Sequence, residues 1–134
     1  NLIDFYEGMF EHLRNIKDTQ LQHGNPLLAI EADLNIADEC MGVAQEIRDI
    51  AVINYLRKNM QKHLDNACRD LKKFQRHPAS NDYIVRIARY APFLGNKERA
   101  REYFDDFVRS RISIDHYASW IQKYHKELNS EFLG

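Results

Sequence analysis

From Leu27 to Arg76 the chain runs without a proline and with a single glycine, Gly42. Strands need turn residues every several positions, so a stretch this long without them points to helix. Within it Ile30, Leu34, Ala37, Met41 and Ala44 follow a 4-3-4-3 spacing, and so do Met60, Leu64, Ala67, Leu71 and Phe74. Stripes of that period are the seams along which helices pack in pairs. Between the two seams Ile47, Ile50, Ala51, Ile53 and Tyr55 shift the phase and broaden the apolar surface. A phase shift is either a stutter in one very long helix or a break into two. No turn residue marks a break, so one long, bent helix over 27–76 is the expectation, with two helices as the alternative.

The flanks carry clearer punctuation. Leu2, Phe5, Met9, Leu13 and Ile16 recur at steps of three and four, with Tyr6 and Phe10 widening the stripe. This helix is expected to end near His23-Gly24, where glycine supplies a left-handed residue. Asn25-Pro26 restarts a helix, with Asn as N-cap and Pro at the first helical position. His77-Pro78 stops the long segment, because the residue before proline is pushed out of the α region. Ser80 can cap the next helix, whose apolar face is Tyr83, Ile84, Ile87, Ala88 and Ala91. Residues 92–96 form a turn, with Gly95 ending one helix and Asn96 capping another. Ala100, Tyr103, Phe104, Phe107, Val108 and Ile112 supply the inward face of that helix. Ser113 caps the last, which carries Ile114, Tyr117, Ala118, Ile121, Tyr124 and Leu128.

No segment alternates with period two, and only 5 Gly and 3 Pro break up 134 residues. The predicted fold is therefore all-α: a helical bundle with one long helix, bent or broken, and three to four shorter ones. The length fits a single domain spanning 1–134. A start at Asn1, with no Met, reads as a fragment of a longer protein.

Charge narrows the partners. With 19 Lys+Arg against 20 Asp+Glu the net charge is −1, so no global field draws the chain to nucleic acid. Locally the sign changes. Residues 28–49 hold Glu31, Asp33, Asp38, Glu39, Glu46 and Asp49 against Arg48 alone, whereas residues 57–76 hold Arg57, Lys58, Lys62, Arg69, Lys72, Lys73 and Arg76 against Asp65 and Asp70. Arg69, Lys72, Lys73 and Arg76, with Arg86 and Arg89 in the next helix, make a candidate binding cluster. It could meet anionic lipid head groups or RNA phosphates. The plainer reading is the solvated face of two helices, paired within a hairpin by the acidic stretch upstream.

Sites for chemistry are scarce. Two ligands on one helix must lie three or four residues apart to share an ion. Around His12, His23, His63, His77, His116 and His125 none of those positions holds Asp, Glu or another His. No metal and no cofactor is expected. Cys40 and Cys68 belong to no CxxC pattern and read as buried free thiols of a reducing compartment. There is no GxSxG elbow and no phosphate-cradling glycine loop, so no enzyme is expected. Asp105-Asp106, beside Arg101 and Arg109, reads as a salt-bridged exposed face. Trp120 sits two residues off the Tyr117/Ile121/Tyr124 stripe. It is a candidate binding anchor, with a half-buried structural role as the plainer reading. No apolar run approaches the roughly 20 residues of a membrane span, so the expected location is cytoplasmic, with peripheral contact to a membrane.

Ile84-Val85-Arg86, then Arg89, Leu94-Gly95, Arg99-Ala100, Phe104, Arg109 and Ile112 read as helix, Leu-Gly turn and Arg-Ala helix. Together with the heptad-bearing segment before it, this order over about residues 30–112 resembles the helical rods of multisubunit vesicle-tethering complexes, of the exocyst and conserved oligomeric Golgi type. The same Leu-Gly and Arg-Ala elements look like a tetratricopeptide hairpin. A repeat array of about 34 residues per unit finds no second copy here. The tether resemblance implies a non-catalytic scaffold subunit that binds other protein subunits, with a small GTPase, a SNARE or a lipid as further contacts. The alternative is an anionic lipid- or nucleic-acid-binding helical domain using the basic cluster of residues 69–89.

Overall fold

The computed structural model describes residues 1–74, 77, 80–94, 98 and 102, and among these there are helices and no strand. Helix α1 spans Leu2–Gln22, α2 Pro26–Glu46, α3 Ile50–Leu71 and α4 Ser80–Tyr90. A 3₁₀ turn, Lys72–Phe74, extends α3 into a helical run of 25 residues, the long helix of the bundle. A second, Ala91–Leu94, follows α4.

The ends of α1 obey local rules. Asn1 accepts the Asp4 N–H on its side chain at 2.9 Å, which satisfies one of the donors a helix start leaves open. At the other end Gly24 has φ +72°, a region glycine enters without steric cost. Its N–H bonds the Leu21 carbonyl at 3.1 Å and the Asn25 N–H reaches back to Gln20 at 2.8 Å. These two bonds are the six-to-one and five-to-two pair of a Schellman cap. Pro26 then opens α2. Asn25 stands at the N-cap, but its amide donates to the Gln20 side chain at 3.1 Å and makes no cap bond.

The segment 27–76 is not one helix. Ile47 is extended (φ −106°, ψ 141°) and residues 47–49 turn the chain back on itself. Asp49 makes the break stable by accepting the N–H groups of Ala51 and Val52 at 2.9 and 3.4 Å, an N-cap in a place without Gly or Pro. The two seams then meet each other as an antiparallel hairpin, with Asp33 and His63, equidistant from Arg48, in contact. Ile30, Leu34 and Ala37 from α2 and Met60, Leu64, Ala67 and Leu71 from α3 are buried in one core.

Helix α2 is the centre of the bundle and touches α1, α3 and α4. It buries residues on nearly every side, including Ala29, Ala32 and Ala37, whose small side chains let neighbours approach. On α4, Tyr83, Ile84, Ile87 and Tyr90 face inward, and Leu94 continues the face.

Helix α1 buries one flank of the expected stripe, the one holding Tyr6, Met9, Phe10 and Leu13. Phe10 is its fully buried residue, and Ile3, Tyr6, Met9 and Leu13 pack partly. Leu2, Phe5 and Ile16 from the sequence stripe stay outside, at 48%, 66% and 43% exposure. The helix is rolled so that Arg14 and Lys17, one and two turns beyond Phe10, reach the hairpin.

Candidate functional site

The predicted basic cluster separates into two groups. Arg69 is exposed and pairs with Asp70 at 3.3 Å. Lys72 and Lys73 are exposed on the 3₁₀ turn, where cations complement the negative end of the α3 dipole. Arg86, half-buried, lies across to α2. Its Nη2 donates to Asn35 Oδ1 on α2 at 2.8 Å, and its Nε donates to the Tyr90 hydroxyl at 3.1 Å. The guanidiniums of Arg86 and Arg89 lie 5.6 and 6.0 Å from the Tyr90 ring, within cation–π range. Arg86 is thus committed to packing α4 on the acidic helix α2. Arg76 and Trp120 lie outside the described residues, as do the Asp105-Asp106 pair and, apart from Glu98 and Glu102, the helices expected after Gly95.

A polar seam that the sequence did not reveal runs between α1 and α3. Glu7, Phe10, Arg14 and Lys17, at steps of three and four, share one face of α1. Tyr55, Asn59 and His63, at steps of four, share one face of α3. At its outer end the Tyr55 hydroxyl donates to Glu7, and Arg14 bridges Glu7 at 2.7 Å and Asn59 at 3.2 Å. The Arg14 hydrogen bond, then that of Tyr55, holds the Glu7 carboxyl below its ordinary range. Burial, then the bond to Glu7, pushes the Tyr55 hydroxyl up to about 12. Phe10 stacks against Tyr55 at 6.4 Å in the middle.

At the inner end three helices meet on Asp33, which has no exposed surface. His63 Nδ1 lies 2.8 Å from Oδ1, and Lys17 Nζ lies 2.8 Å from Oδ2 as an ion pair off the line of a hydrogen bond. His63 is 2% exposed, and its Nε2 is buried with no hydrogen-bond partner among the described residues. A carboxylate that orients an imidazole is half of a general-base arrangement. Here the reactive nitrogen is sealed from solvent, so the trio orients helices in this packing. Local spacing could not show it, because Asp33 and His63 lie 30 residues apart on separate helices.

Both cysteines are buried and unbridged. Burial pushes the Cys40 thiol up to about 12, far from a reactive thiolate. Among the described residues no three His, Cys, Asp or Glu side chains group as metal ligands, and no helix is long and apolar enough to cross a membrane. Comparison with family models, with curated proteins and with solved structures found no match for this chain.

Proposed function

We propose that this chain is a non-catalytic helical module that binds other protein subunits, with vesicle tethering at the cytoplasmic face of a membrane as its setting. The uncovered apolar flank of α1 carries the first part: Leu2, Phe5 and Ile16 stand exposed beside a face that is already packed. Apolar side chains grouped at helical spacing and left in water favour a partner that covers them. The setting rests on the resemblance of residues 30–112 to tethering rods.

The test is affinity capture from source-cell lysate at moderate salt, with mass spectrometry of what stays bound, using the parent chain and Phe5→Glu/Ile16→Glu. Large helical subunits of one trafficking complex, retained by the parent and lost by the variant, are the expected result. Recovery of unrelated proteins, or equal recovery by both chains, would sink the reading. The second reading, binding of anionic lipid or nucleic acid, draws on the exposed Arg69, Lys72 and Lys73 at the end of α3. Salt-sensitive binding of the chain to anionic vesicles or RNA, lost when these three are reversed in charge, would favour it.

A further inference from the structure

The exposed charges of the bundle are sorted by helix. On α1, Asp4, Glu11 and Asp18 recur at every seventh position and are all exposed, so they form one line down the outer surface. The Arg and Lys of the same helix do not neutralise that line, because Arg14 turns to Glu7 and Asn59 and Lys17 turns to Asp33. On α3 and the 3₁₀ turn that extends it, Lys58, Lys62, Arg69 and Lys72 are exposed on the side away from the buried row Leu56, Met60, Leu64 and Ala67. Asp65 stands half-buried between them. At 1.5 Å of rise per residue each line is about 21 Å long. The two surfaces are thus opposite in charge and equal in length, and both are exposed, with Arg69 also paired to Asp70 and the Lys62 charge reaching Glu7 on α1 of the same copy.

We propose that the basic line of α3 in one copy docks on the acidic line of α1 in a second copy. Both halves of the contact are present in the one chain, which is what a self-association surface requires. A nucleic acid fits the α3 line less well. Single strands are held by aromatic platforms, and among the described residues Tyr55, Tyr83 and Tyr90 are engaged with Glu7, the Leu27 carbonyl and Arg86. The contact joins two different surfaces, so each added copy leaves one acidic and one basic line open and assembly proceeds stepwise. It uses neither Leu2, Phe5 nor Ile16, and it stands or falls apart from the capture of other subunits. Exposed ion pairs are individually weak and screened by salt, so association belongs to low ionic strength and high protein concentration.

Sedimentation velocity over a concentration series tests this at about 10 mM and about 1 M salt, where the screening length falls from about 30 to about 3 Å. The expected result is a sedimentation coefficient that rises with concentration at low salt and is constant at high salt. Lys62→Glu/Arg69→Glu and Glu11→Lys/Asp18→Lys, each alone, are expected to lose the rise while keeping the parent's circular dichroism. Mixing the two variants is expected to restore it, because each then offers the other two complementary lines. A chain monomeric at every low-salt concentration overturns the proposal. So does association that survives high salt or either reversal, or a mixture that stays monomeric.

Discussion

At Asp33 a fully buried carboxylate meets a lysine from α1 and an imidazole from α3. Such a group gives little net stability beyond an apolar substitute, yet removing one member leaves the other charge uncompensated at a cost of about 3–5 kcal/mol. Asp33→Ala is expected to lose about that much, read from the midpoint of urea unfolding. Lys17→Met/Asp33→Leu/His63→Leu, which removes the charges together, is expected to recover most of the loss. An Asp33→Ala chain as stable as the parent would show that Lys17 finds water once released. Individual residues were the least legible scale in the sequence. Arg86 reads as part of a basic patch until Asn35 and Tyr90 are seen beside it, and His63 reads as an isolated histidine until Asp33 is brought to it.

Element ends follow from near neighbours. The stop at His23-Gly24 and the restart at Asn25-Pro26 are set by groups within a few residues, and both stand where the sequence puts them. Residues 47–49 are the exception. Asp is a favoured N-cap residue in general, but nothing around Asp49 interrupts the helical pattern, and with no Gly or Pro beside it the helix could run on. Packing decides the matter, because folding back lets one apolar seam bury the other. Asp49→Ala removes the side-chain cap of α3 and is expected to cost about 1 kcal/mol. Its signature is faster hydrogen exchange at Ala51 and Val52, the two amides Asp49 accepts, with the rest of α3 shifted only by the loss of global stability. Uniform exchange across both helices in the variant would instead mark the turn as inseparable from the hairpin.

Across the whole molecule, α1, α2 and the α3–α4 run share one core around α2, and Cys40 and Cys68 both lie inside it. Neither thiol can reach a reagent without opening the hairpin. Both are therefore expected to react with Ellman's reagent only as fast as the bundle opens, with denaturant accelerating the two in step. Rapid labelling of either thiol in the native chain would mean that its helix opens separately. Because burial raises the Cys40 thiol to about 12, the stability tied to its protonated form is complete below its usual value of 9.0 and declines as pH climbs toward 12.

The sequence by itself determined that this protein is helical, which faces of its helices are apolar, and where the helices bounded by Gly, Pro and Asn end. Those properties depend on side chains within one or two turns of each other. Tertiary structure alone decided that 27–76 folds back at Asp49, that α1 buries Phe10 and leaves Phe5 in water, and that Lys17 and His63 converge on Asp33. An apolar stripe wider than one contact line permits several rotations of its helix. Only the shape and charge of what packs against it select one.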